Sequence, residues 1–325
     1  MQGTDIRLER LRTEEGEARC REVFEQVCRQ NRYRASMLLN DSQLTFPTLF
    51  LLYPQIQPRK QYLRLNQRGR QLIYILSEIE KDHSGNGKLP MLARKNRMTH
   101  DILLWAVRTG YRYDGSDQYD TAMDLFICVL LTSYRETQVL PYTEHLIFER
   151  NREGKNLHDL IWAYFHLHDP VVLRRMSEHL RAKDPLEVEL ARALLGTEEI
   201  CPDCRDGQAQ CNSYQKWLSE NDPYLFFTEE NLQYARNPEI CRVDESRKFL
   251  QKSTDDYEPH PLEHLSEKEA DRLKEFKKLD RKDRHLVCCF SQNIRKRDPA
   301  AWRDFMDASM DKKLDQAKTE MGDLV

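Results

Sequence analysis

The stretch KNLHDLIWAYFHLHDPVVLRRMSEHLRAKDPLEVELARALLG, residues 155–196, decides the fold class. In its first part Leu157, Leu160, Ile161, Tyr164 and Leu167 recur three or four residues apart, which places them on one face of a helix. Asp169-Pro170 then supplies a capping carboxylate and a proline at the first helical position, where the missing N–H costs nothing. Leu173, Met176 and Leu180 form the next stripe. Asp184-Pro185 repeats the start signal, Val188, Ala191 and Leu195 form a third stripe, and Gly196 stands where a helix C-cap is expected.

The same punctuation returns at Asp222-Pro223 and Asp298-Pro299, with Asn237-Pro238 as a variant. Upstream, Thr121 to Tyr134 has an apolar centre on all sides and reads as a buried helix. Gln138 to Arg150, with Pro141 near its start, reads as the next one. Helix starts near 121, 138, 156, 170 and 185 imply antiparallel pairs with a period of about 30 residues, within the range of helical solenoids. In this rhythm and in its Asp-Pro caps, the stretch 98–196 resembles HEAT- or armadillo-like repeats. The resemblance implies a short right-handed solenoid of antiparallel helix pairs and an extended surface for a partner. The residues themselves also fit a compact, non-repetitive helical bundle.

The remainder is read as helical too. Ile6 to Gln30 is charged and periodic, and Gln61 to Ile79 carries Leu65, Leu72, Ile75, Leu76 and Ile79. Ser42 to Tyr53 fits either a buried helix or an extended segment, and His83 to Pro90 is a loop. Short helices are expected around Tyr214 to Glu220 and Glu229 to Ala235, followed by a polar linker from Gln251 to Leu265. Ser266 and Glu269 make a capping box for the next helix. Two further helices are expected over Arg284 to Arg295 and Pro299 to Met321. The prediction is an all-α chain in four parts: a helical region with a basic segment (1–97), a repeat region (98–196), a cysteine-bearing connection (197–255) and a small helical C-terminal region (256–325).

Composition agrees. Of 325 residues 39% are hydrophobic and 32% charged, and glycine numbers 11 where average usage gives roughly 23. Glycine-rich nucleotide-binding folds and turn-dense β-sandwiches are thereby disfavoured. No apolar run approaches the roughly 18 residues of a membrane span, so no membrane partner is expected. The N-terminal MQGTDIRLER carries no secretory pattern. Nine irregularly spaced cysteines suggest reduced thiols and a cytoplasmic location.

The net charge of -3 hides a polarity. Residues 51–100 hold ten basic groups, among them Arg59, Lys60, Arg64, Arg68, Arg94, Lys95 and Arg97, against three acids. Residues 101–150 hold four basic groups against eight acids. Tyr62 and Tyr74 interleave with the basic run, and arginine for phosphate with tyrosine for stacking is what a nucleic-acid surface needs. A solvated helix face, or pairing with the acidic neighbour, accounts for the same residues.

Cys201-Pro-Asp-Cys204 with Cys211 and Cys241 is a candidate zinc set, since a C-x₂-C knuckle presents two thiolates to one tetrahedral ion. The second half lacks its own C-x₂-C, and a loop of incidental thiols is the plainer alternative. Asp114, Asp117, Asp120 and Asp124 could cluster around a hard cation, though capping and the helix dipole explain acids there equally well. His158, Asp159 and His166, beside Trp162, or the acidic cluster itself, are the candidate nuclei for an all-α enzyme, and neither H-E-x-x-H nor G-x-S-x-G is present. The adjacent Cys288 and Cys289 cannot easily bridge each other. The expected function is therefore a non-enzymatic interaction scaffold for a protein or peptide partner. The alternatives are nucleic-acid binding through 59–97 and an enzyme around His158.

Overall fold

The computed structural model of the chain describes residues 7–83, 96–200, 206–228, 230, 235, 238–254 and 256–321. The expected all-α class is shown: helices carry the described regular structure apart from one two-stranded ribbon. Two compact units share the chain, Met1–Leu167 and His168–Val325, and the boundary falls within the stretch 98–196.

In the N-terminal unit the order is α1 (Leu8–Arg10), α2 (Glu17–Gln30), α3 (Arg32–Leu39), α4 (Phe46–Ile56), α5 (Gln67–His83), α6 (Arg97–Gly110), α7 (Asp117–Thr132), α8 (Leu140–Glu153) and α9 (His158–Phe165). The ambiguous segment 42–53 resolves into α4, whose Phe46, Leu49, Leu52 and Ile56 are all at most 1% exposed. Its apolar run is too continuous for alternation because several helices cover it. Phe46 stacks on Tyr119 of α7 at 5.0 Å and meets Phe126 at 5.4 Å. The buried Tyr119 hydroxyl donates to the Gly110 carbonyl at 2.9 Å.

That bond requires the glycine. A Cβ at position 110 would lie 2.2 Å from the Tyr119 oxygen and 2.8 Å from Met123 Cε. Gly110→Ala is therefore expected to destabilise the unit by about 1–3 kcal/mol through overpacking, despite alanine's better helix propensity. Urea unfolding checks this, and an unchanged or raised midpoint would contradict the packing described.

The C-terminal unit runs α10 (Pro170–Glu178), α11 (Pro185–Leu195), α12 (Thr197–Ile200), α13 (Gly207–Asn221), β1 (Leu225–Phe227), β2 (Cys241–Val243), α14 (Glu245–Leu250), α15 (Glu267–Phe276), α16 (Arg281–Arg297), α17 (Pro299–Asp307) and α18 (Met310–Met321). Three of the Asp-Pro starts behave as expected. Asp169 accepts from the Val171 amide at 2.8 Å, Asp184 from Leu186 at 3.0 Å, and Asp298 from both Ala300 and Ala301. Ser266 and Glu269 form the full capping box, and Gly196 ends α11 in the left-handed region.

Three expectations need correction. Asp222-Pro223 opens only a 3-10 turn, which delivers the chain into β1. That strand pairs antiparallel with β2, Leu225 opposite Val243 and Phe227 opposite Cys241. Three residues per strand are too few for alternation to register in sequence. The segment 251–265 is no free linker, because the Phe227 amide donates to the Tyr257 carbonyl at 2.9 Å. The final helix breaks at Ala308, where the backbone turns extended, so α17 and α18 pack separately on α16. Much of the proposed helix over 229–235 lies outside the described residues.

Candidate functional site

The basic segment does not form one uniform track. Arg59 pairs with Glu25 at 2.7 Å and donates to the Gln55 carbonyl. Arg68 lies 4.5 Å over the Trp105 ring and donates to the Asp41 carbonyl at 3.0 Å. These two arginines are structural ties within the N-terminal unit. Lys60 and Arg64 are exposed, and the Arg97 side chain is 96% exposed. Arg94 and Lys95 lie outside the described residues.

What the structure adds is an exposed apolar component. Tyr33 and Met37, one turn apart on α3, are 66% and 58% exposed, and Tyr62 is 59% exposed. Arg32 reaches to 4.9 Å over the Tyr62 ring. The Arg64 amide donates to Ser36 Oγ and the Arg64 carbonyl accepts from Asn40, so the 60–66 segment is fastened along α3. Tyr33, Met37 and Tyr62 are thus displayed by one local assembly with Arg34, Lys60 and Arg64. Large apolar groups are normally spent on burial, and a group of them left in water points to a contact surface.

The acidic cluster is answered from within the protein. Arg150 is 5% exposed and sits 2.7 Å from Asp124 and 3.8 Å from Asp120, while Lys155 lies 3.4 Å from Asp114. Burial raises the pKa of Asp124, and the Arg150 guanidinium beside it opposes that shift. His158 and Asp159 are exposed at the start of α9, and His166 stacks on Trp162 at 4.7 Å.

Of the candidate zinc set, Cys201 and Cys204 lie outside the described residues. Cys211 is buried and receives Gln215 Nε2 at 3.5 Å. Burial pushes the Cys241 thiol up to about 12.

The chemically richest cluster is elsewhere. Asp244 caps the short helix α14, whose last turn lays Lys248, Phe249 and Leu250 against α16. The Phe249 carbonyl accepts from Ser291 Oγ at 2.7 Å, which fixes the two helices in register. Lys248 is 3% exposed. Its Nζ lies 2.8 Å from Asn221 Oδ1 and 3.2 Å from Cys289 Sγ. His285, one turn before Cys289 on α16, brings Nε2 to 3.6 Å from the same sulfur and Nδ1 to 4.0 Å from Glu245. Cys288 is fully buried and donates to the His285 carbonyl at 3.1 Å.

The adjacent Cys288 thiol, with His285 and the Lys248 ammonium, lowers the Cys289 pKa against the opposing effect of burial. Cys288 is raised by the same pairing. His285 is raised by its bond to Cys289. The ligand atoms of His285, Cys288 and Cys289 lie within 4.8 Å of one another, a grouping that could hold a metal ion. The Lys248 ammonium is already on Cys289, however, and opposes a second cation there.

Sequence reasoning passed over this centre. The available signal was His285 four residues before Cys289 on an amphipathic helix. Lys248, 41 residues away, carried none. No protein-family model, curated protein or solved structure matches this chain.

Proposed function

We propose that the chain is a non-enzymatic interaction scaffold that binds a protein or peptide partner through the N-terminal unit. The observation that carries this reading is the exposed set Tyr33, Met37 and Tyr62 beside Arg34, Lys60 and Arg64. Tyrosine and arginine dominate binding hot spots because each combines a large contact area with polar reach. The basic rim favours a partner segment with acidic side chains around an apolar anchor. Helix pairs stacked in a HEAT-like manner over 98–196 would extend the surface, and this arrangement is part of the proposal. Free thiols at the described cysteines support a cytoplasmic setting.

Nucleic acid is the second reading, favoured by the alternation of Lys60, Tyr62, Arg64, Arg70 and Tyr74. It has less support, since Arg59 and Arg68 are engaged within the unit. Zinc at Cys201, Cys204, Cys211 and Cys241 is a separate proposal. Elemental analysis of purified protein decides it, and metal-free protein with unchanged melting ends it.

Exchanging Tyr33 and Tyr62 together for alanine is expected to reduce partner recovery at least tenfold with unchanged helicity. Trp162→Ala, also exposed but elsewhere on the unit, is expected to leave recovery intact. Equal recovery from both variants would remove the protein-binding reading. Recovery that is nuclease-sensitive and falls steeply with salt would replace it with the nucleic-acid one.

A further inference from the structure

We propose that Lys248 and Cys289 form an oxidant-responsive pair in which a hydroperoxide converts the Cys289 sulfur to a sulfenic acid and the Lys248 amine then captures it as a covalent N–S cross-link between α14 and α16. This assigns a modification site independent of the docking surface.

Three observations carry the inference. First, Lys248 is almost completely buried, and its polar neighbours are an amide oxygen at 2.8 Å and the Cys289 sulfur at 3.2 Å. Among the described residues no carboxylate pairs with it. A buried ammonium requires an adjacent negative charge, and the thiolate is the group placed to supply it. Second, Cys289 is only partly buried while Cys288 beside it is wholly so. Of the two thiols Cys289 is thus the more accessible to a small oxidant, and the Lys248 amine lies against its sulfur. Third, the usual resolving thiol is unusable. Neighbouring Cα atoms stand about 3.8 Å apart across a trans peptide, shorter than the roughly 4.4–6.8 Å span of a disulfide. Both cysteines are held within the continuous helix α16. The amine, already at the separation of reacting atoms, is the nearest nucleophile to any oxidised Cys289.

The steps balance. The thiolate attacks the peroxide oxygen, the O–O bond breaks, and sulfenic acid and hydroxide form. Sulfur is oxidised and the peroxide reduced. With the thiolate charge gone, the buried ammonium has lost its counter-ion and yields a proton to the hydroxide, giving water. The amine lone pair then attacks sulfur, the S–O bond breaks, and a second water leaves. The net change in the protein, relative to free amine and thiol, is the loss of two hydrogen atoms.

The test treats purified full-length protein with stoichiometric hydrogen peroxide and reads intact mass and proteolytic peptides. The expected result is the loss of two hydrogens together with a joined peptide containing Lys248 and Cys289, reversed by excess thiol. Cys288→Ala is expected to retain the cross-link, and Cys289→Ser to abolish it. Lys248→Met is expected to leave a sulfenic acid that a 1,3-dione traps. A wild-type mass change that disappears in Cys288→Ala, or oxidation of Cys289 to sulfinic acid without any joined peptide, would overturn the proposal. So would protein that carries zinc on His285 and the two cysteines and resists peroxide until the metal is removed.

Discussion

Replacing Arg150 by alanine is expected to lower the stability of the N-terminal unit by about 3–5 kcal/mol, the cost of stranding a buried charge. The size follows from where the charges sit. Asp124 faces Arg150 at 2.7 Å, and Asp120 is the next carboxylate along the same face of α7. Arg150 also donates to the Asn156 carbonyl at 3.3 Å, tying α8 to the turn that leads into α9. Without the guanidinium, Asp124 loses its partner while still half-buried, and burial already raises its pKa.

The sign with pH follows from that direction. A carboxyl whose folded pKa is raised binds its proton more tightly in the native state than in the unfolded one. The folded state then gains relative stability as pH falls from above the folded pKa toward the unfolded value. Part of the Arg150→Ala loss should therefore be recovered in mild acid, which a surface salt bridge would not show. Replacing the pair together, Arg150→Met with Asp124→Leu, is expected to cost much less than Arg150→Ala alone, since it leaves no unpaired charge. Urea unfolding followed at Trp105 measures all three. A loss below about 1 kcal/mol for Arg150→Ala would show a solvated pair.

Phe276→Ala is expected to be comparably damaging in the C-terminal unit, at about 3–5 kcal/mol. Its ring stacks on Phe249 at 4.5 Å with the planes nearly parallel, and both rings are fully buried. They belong to one cluster with Val287, Phe290, Ile294 and Phe305. Truncation opens a cavity walled by helices fixed elsewhere, so collapse into it is limited. α14 contributes only six residues and depends on this cluster for its position. The same variant should therefore loosen Lys248 over α16. Amide exchange in α14 is expected to accelerate more than in α10, and equal acceleration would show that the unit unfolds as one block.

Helix starts were legible because Asp-Pro and the Ser266/Glu269 box act locally, through a capping oxygen and the fixed φ of proline. The stripe of Leu160, Ile161 and Tyr164 was legible because burial on one face imposes helical spacing. The β1–β2 ribbon was not, since its three-residue strands hold together through pairing that only the folded chain supplies. Charge counting was misleading for a similar reason. Arg59 and Arg68 look like members of a basic run, yet Glu25 and Trp105 claim them across 34 and 37 positions. The Cys289 centre escaped because its decisive member, Lys248, arrives from another helix.

The face around Tyr33 of α3 and Tyr62 is proposed to dock a polypeptide. Site-specific photocrosslinking in the native cell tests it most directly, with a photoreactive residue placed in turn at positions 33, 37, 62 and 162. A discrete cross-linked polypeptide, the same one, is expected from 33, 37 and 62 and none from 162. Cross-links to nucleic acid from these positions, or identical yields from all four, would contradict it.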